Sequence, residues 1–156
     1  MRDKLMEATK AAMKSGNKAR LSTLRLISAA LKDRDIAARV DEKGQATGRD
    51  KIDDGEVLQL LQKMVKQRRE SVETYSQAGR QELADKELGE IAVIEEFLPQ
   101  QMTDNEVERA VAAVITEIGA GGVKDMGRVM GALKERFTGQ MDFAKASAVA
   151  KARLMS

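Results

Sequence analysis

The stretch "IEEFLPQQMTDNEV", residues 94–107, decides how this chain is divided. Its proline, Pro99, is the only one in the sequence. The residue before a proline is pushed out of the helical region, so a helix arriving from upstream ends at Leu98. A full start signal follows at once: Thr103 is placed as an N-cap, Glu106 closes a capping box, and Met102 and Val107 are spaced for a hydrophobic staple. A helix stop, a short "PQQM" linker at 99–102 and a helix start together predict a boundary between a domain at 1–98 and a second at 103–156.

Upstream of that boundary the apolar spacing predicts four helices. The first covers 2–15, with Leu5, Met6, Thr9 and Met13 near one face, and turns at Ser15-Gly16-Asn17. The second runs over 18–40, where Leu21, Leu24, Ile27, Ser28 and Leu31 form a buried stripe. "DEKGQATGRDK" (41–51) has two glycines and almost no apolar residue, and reads as a mobile surface loop. Asp53 and Glu56 make a capping box for the third helix, whose inner face is Val57, Leu61, Met64, Val65, Arg68, Val72 and Tyr75. After a break at Gly79 the fourth helix spans 80–98, with Leu83, Leu88, Ile91, Ile94, Phe97 and Leu98 as its apolar residues and Gly89 marking a kink or a close contact.

Downstream, three helices are expected in about fifty residues, near the lower limit for independent folding. The first holds Ala110, Val111, Val114, Ile115 and Ile118 and stops at Gly119, suited to the left-handed C-terminal position. Asp125 is placed to cap the second, which ends near Phe137, and Gly139 turns the chain. Asp142 caps the last, with Phe143, Ala146, Ala150 and Leu154 near one face. Strong helix formers dominate the composition and aromatics make up only 3% of it. The fold class that follows is all-α, an N-terminal four-helix bundle plus a small C-terminal three-helix domain.

The sequence contains neither histidine nor cysteine. Without them there is no Ser-His-Asp triad, no thiolate chemistry and no His- or Cys-based zinc site, and the usual general base at neutral pH is missing. The adjacent acids Asp53/Asp54 and Glu95/Glu96 do not share a helical face, so they predict no metal site. No catalytic residue, cofactor or metal ion is expected. The N-terminal "MRDKLMEATK" lacks the apolar core of a signal peptide, and no uncharged run is long enough to span a membrane, so the expectation is a soluble, cytoplasmic protein.

Net charge is only +2, but it is unevenly spread. Residues 1–34 carry nine Lys/Arg against three Asp/Glu, and residues 123–156 carry seven against three, while the segments between are acidic. Pairing between neighbouring helices is the plainer account, and contact with an anionic partner the sharper one. Arg20 and Arg25 are expected to pair with acids such as Glu56, Glu70 or Glu73. Residues 66–71, "KQRRES", read as a solvated helix face, and Tyr75 as a core residue with its hydroxyl at the edge.

The segment "KDMGRVMGALKERFTGQMD" (124–142) poses a separate problem. A glycine inside a helix costs about 1 kcal/mol against alanine, so two in one short helix need a reason. Gly127 and Gly131 are four apart and share a face that Lys134 continues and Arg128 borders, while Met126, Met130, Leu133 and Phe137 form the apolar face. Close packing of another helix is the plainer explanation, and approach of a phosphate to bare backbone flanked by cations is the alternative. A nucleotide-binding loop is excluded, because no strand precedes the glycines and their spacing fits neither fingerprint.

"DMGRVMGALKERFTGQMDFAKASAVAKARL" resembles the C-terminal signature of the YqeY family, carried by Met126, Gly127, Arg128, Val129, Met130, Gly131, Gly139, Met141 and Asp142. "RLSTLRLISAALKDRDI" (20–36) and "IEEFLPQQMTDNEV" are similar to the same family, in the same order, so the likeness covers nearly the whole chain. The same signature occurs in the tail of the B subunit (GatB) of the aspartyl/glutamyl-tRNA amidotransferase, where it contacts tRNA away from the chemistry. The resemblance implies the four-plus-three helical layout and a non-catalytic tRNA-binding accessory module. The residues it would use are Lys124, Gly127, Arg128, Gly131, Lys134, Arg136, Lys145, Lys151 and Arg153. Two alternatives accompany it: a protein–protein adaptor for a tRNA synthetase or amidotransferase, and a component of glutamine-dependent carbon–nitrogen ligase activity.

Overall fold

Local signals set the helix ends in the computed structural model, which describes residues 1–156. Seven α-helices follow one another: α1 (Arg2–Ser15), α2 (Lys18–Ala38), α3 (Asp54–Gln77), α4 (Gln81–Glu95), α5 (Asp104–Ile118), α6 (Met126–Phe137) and α7 (Phe143–Met155), with a 3-10 turn at Val123–Asp125 before α6. There is no strand, only an isolated antiparallel bridge between Val40 and Ala46, so the protein is all-α. Both expected capping boxes form: Asp53 with Glu56, and Thr103 with Glu106. Gly119 takes φ 68° at the end of α5, where its N–H reaches back to the Thr116 carbonyl. Contacts divide the chain into two compact units, Met1–Leu98 and Pro99–Ser156.

In the second unit α5, α6 and α7 pack pairwise around Val107, Val111, Val114, Val129, Leu133, Met141, Ala146 and Ala150. The alanines of α7 let that helix approach closely. The segment leading into α5, expected as a linker, is fastened to the α6–α7 turn: the Met102 N–H donates to Gln140 O at 2.7 Å, and the Gln101 amide donates to Gly139 O at 2.6 Å.

In the first unit the core is built from Leu5, Ala12, Leu24, Ile27, Leu31, Ile52, Val57, Leu60, Leu61, Met64, Ile94 and Phe97. Several expected faces are rotated. α1 buries Leu5 and Ala12, with Met1 and Ala8 partly buried beside them, and it exposes Met6 and Met13. Positions 1, 5, 8 and 12 share one face, so the small alanines carry the seam against α2. In α2 the buried polar residues are Thr23, whose hydroxyl donates to the Ala19 carbonyl, and Asp35, while Ser28 is exposed. In α4 Ala84, Ile91 and Ile94 face inward while Leu88 is exposed, and nothing lies within 4 Å of the position a Cβ would take on Gly89. Arg68 leaves the α3 seam to pair with Glu90 of α4 at 2.9 Å, both side chains largely covered. Arg20 pairs with Glu96, an acid other than those expected, and Arg25 makes no ion pair, while Arg69, on the solvated face at 66–71, pairs with Glu95.

The 41–51 segment lies at the surface, as expected, and carries hydrogen bonds of its own. The Asp41 carboxylate accepts the Lys43 and Gln45 N–H groups, and the Thr47 N–H donates to the Arg39 carbonyl. Just past its end Ile52 is buried, and its N–H donates to Asp35 Oδ1 at 2.9 Å. Asp35 also receives both terminal nitrogens of Arg2, at 2.8 and 2.9 Å, and Arg2 in turn donates to Ile52 O. One buried carboxylate thus joins α1, α2 and the loop before α3. The Arg2 hydrogen bond holds the Asp35 carboxyl below the usual carboxylate range, against burial, and the Ile52 N–H adds to the lowering.

Asp35→Ala leaves a guanidinium and a buried N–H without their acceptor and should cost roughly 1.5–3 kcal/mol in urea unfolding at neutral pH. Asp35→Asn keeps an acceptor for Ile52 and should cost less. Because the folded value is lowered, the contribution is complete above the unfolded carboxylate value of about 3.9 and drains away as pH falls through the folded value. The stability gap between wild type and Asp35→Asn should therefore narrow below about pH 4. A gap unchanged between pH 7 and pH 3 would show that the charge contributes nothing.

Candidate nucleic-acid interface

The rotation of α6 about its own axis is set by Val129 and Leu133, both 0% exposed, with Met126, Met130 and Phe137 packed beside them. At 100° per residue this turns Gly127 and Gly131 away from the core. Both are exposed, and nothing lies within 4 Å of the position a Cβ would take on either. Close packing within the chain, the plainer account of these glycines, is therefore overturned: no other helix uses the space they leave. Lys134, three residues after Gly131 and seven after Gly127, lies on the same strip and is exposed.

Entry into α6 differs from the expected cap. The Asp125 carboxylate does not cap the helix; it accepts the Gly121 N–H at 2.8 Å and meets Arg128 Nη1 at 3.2 Å. Arg128 Nη2 also donates to the carbonyl of Ile118, the last residue of α5, at 2.7 Å. Arg128 therefore stitches the C-terminus of α5 to the start of α6. No side chain caps the first turn of α6; the Met126 N–H donates to the Val123 carbonyl of the 3-10 turn, and the Asp125 carboxylate stands at that end of the helix.

The nine expected contact residues fall into groups. Arg128 is engaged as above. Arg136 donates to both carboxylate oxygens of Glu117, at 2.6 and 3.2 Å. That hydrogen bond and the charge of Arg136 hold the Glu117 carboxyl below its ordinary range, and the same pair raises the Arg136 guanidinium. Lys145 stands 3.7 Å from Asp104 with both side chains largely in solvent, a pairing worth little. Lys124, Lys134, Lys151 and Arg153 have no ion pair. Arg153 lines a shallow depression of about 430 Å³ with Glu108, Ala148, Val149, Ala152 and Ser156, so a carboxylate shares its surroundings. The structure thus separates two arginines with partners on α5 from four cations that make no ion pair.

One residue escaped the sequence reading. Glu135 is exposed and lies four residues after Gly131, on the glycine strip itself. The spacing that linked Gly127 to Gly131 also reaches Glu135, and its charge limits how far along the strip an anion fits. No group of three or more Asp or Glu side chains gathers to hold a metal ion, and no helix is long and apolar enough to cross a membrane.

The family model described as Yqey-like protein matches residues 2–154. The chain belongs to the YqeY family. A search of curated proteins finds no match. Within this YqeY-family chain the signature glycines stand on an open surface, which makes their conformational cost measurable. Gly131→Ala should raise stability by about 1 kcal/mol, since the helix gains propensity and the new methyl meets no atom. Thermal or urea unfolding checks this, and a destabilised variant would mean that the strip is packed after all.

Proposed function

We propose that this YqeY-family chain is a non-catalytic tRNA-binding accessory module of the cytoplasm, in which the three-helix domain at 103–156 meets the RNA and the bundle at 1–98 accompanies it. The open glycine strip of α6 carries this reading. Two residues without side chains lie on an exposed helix face, next to a helix start that no side chain caps and beside the unpaired Lys134. A phosphate approaches the helix axis more closely over bare Cα groups than anywhere a side chain intervenes. Lys124, Lys151 and Arg153 would add phosphate contacts, which position an RNA without reading its bases. The resemblance to the tail of the tRNA-dependent amidotransferase B subunit points the same way.

Arg128, Arg136 and Lys145 have a smaller part than the signature alone implies. The first two would have to give up carboxylate or carbonyl partners to meet a phosphate, so this reading gives them the task of holding α6 in place. No bond-making step is assigned, and the carbon–nitrogen ligase activity of the amidotransferase is not transferred to this chain.

Fluorescence polarisation with labelled bulk tRNA tests the reading. Gly131→Leu should fold at least as stably as wild type, because its side chain extends into open space, yet bind several-fold more weakly. Lys134→Gln/Lys151→Gln should reduce the dependence of log K on log salt by about 1.4–1.8. Wild-type protein that fails to bind tRNA, or binds it without salt dependence, would end the proposal. A protein partner recovered after nuclease treatment, and lost with Gly131→Leu, would replace it with the adaptor reading.

A further inference from the structure

On the solvent side of α2, Lys18, Arg25, Lys32 and Arg39 recur at intervals of seven residues. Seven residues are nearly two helical turns, so the four cations stand in one row about 31 Å long, roughly one every 10 Å. The row winds by about 20° per interval. All four are exposed, as are Ser22, Ala29 and Ile36, which follow each of the first three cations by four residues. The core face, with Thr23, Leu24, Ile27 and Leu31 buried, lies across the helix, and Asp35, which borders the row between Lys32 and Arg39, is buried with its carboxylate held by Arg2 and Ile52.

No carboxylate pairs with the row. Lys18, Arg25 and Lys32 make no ion pair, and Arg39 donates only to the Asp50 carbonyl, at a long 3.5 Å. Six other arginines of the same unit are matched, among them Arg2 with Asp35, Arg20 with Glu96, Arg68 with Glu90 and Arg69 with Glu95, while Arg34, on α2 but off the row, is not. The one exposed acid of α2, Asp33, lies on the flanking strip with Leu26 and Ala37, off the row. At its N-terminal half the row borders a shallow groove of about 560 Å³ lined by Lys18, Leu21, Ser22, Arg25 and Leu26.

We propose that this row is a second nucleic-acid contact, which follows an RNA phosphate backbone along α2. The proposal rests on the RNA reading given above. A line of evenly spaced, uncompensated cations matches a linear polyanion, and each neutralised phosphate adds affinity by releasing counterions. Ser22 and Ala29 between the cations are too small to hold a backbone off the helix. A membrane surface would require a continuous apolar stripe beside the cations; Leu26, Ile36 and Val40 are exposed there, but Asp33 and the small Ser22 and Ala29 interrupt them. An acidic partner helix would require apolar anchors along the row, and the same residue types count against it.

Two charge-matched double variants of the full chain decide the matter. Arg25→Gln/Lys32→Gln removes two cations from the row. Lys63→Gln/Lys86→Gln removes two exposed cations from α3 and α4. In polarisation titrations with labelled bulk tRNA over a salt series, the first should lower the slope of log K against log salt by about 1.4–1.8 and weaken binding roughly tenfold. The second should stay near wild type, and both should melt as wild type does. If the row variant binds like wild type, or both doubles weaken binding equally, the row is no contact. In the first of those cases a Gly131→Leu defect would leave the RNA reading standing. If wild type binds no tRNA, both proposals fall together. If the row variant keeps its tRNA affinity but no longer co-sediments with phosphatidylserine vesicles, the row serves a lipid surface instead.

Discussion

Burial of Val129 and Leu133 is the constraint on which the C-terminal surface depends. A helix of 12 residues has one rotation that puts both side chains at 0% exposure against α5 and α7. Once that rotation is taken, the direction of every other residue follows from the 100° step. Gly127, Gly131, Lys134 and Glu135 face solvent, and Arg136 reaches Glu117. The apolar seam therefore decides which backbone is bare to the outside, without any of its residues touching a ligand.

A parallel logic holds in the first unit, with a polar group sharing the task. Leu24, Ile27 and Leu31 hold α2 against the core, and Asp35 fixes its far end through Arg2 and Ile52. The Asp35 carboxylate is covered, yet its oxygens meet the Arg2 guanidinium and the Ile52 N–H, which is the condition under which a buried charge is tolerated. With the inner face so determined, the seven-residue recurrence of cations can only lie outside. Both surfaces are thus by-products of core packing, and both are built from residues the core does not need.

Helix ends were plain in the sequence where they depend only on chemistry within four residues, which the Asp125 carboxylate, turned to Gly121 and Arg128, does not. Thr103 and Glu106, Asp53 and Glu56, and Gly119 each act on their own neighbourhood, and each behaves as its residue type dictates. Which side of a helix is buried was plain only where large apolar residues outnumber the rest, as with Val107, Val111 and Val114. In α1 the seam runs through Ala8 and Ala12 and leaves the larger Met6 and Met13 in solvent, because position on the helix and not side-chain size sets the buried face. In α4 Leu88 is exposed in the same way while Ala84 is buried.

Residue types and their intervals settle much about this chain: all-helical structure, the division near Pro99, the absence of histidine and cysteine chemistry, and the likeness to the YqeY family. Those properties are local or compositional, and need no knowledge of what lies across space. Pairing is different. That Arg20 meets Glu96, that Arg128 and Arg136 are occupied while Lys124 and Lys134 are not, and that the α6 glycines border empty space all depend on how helices distant in sequence come together. A glycine looks the same in a sequence whether a neighbouring helix fills its space or leaves it empty, because the difference lies entirely in atoms belonging to other residues.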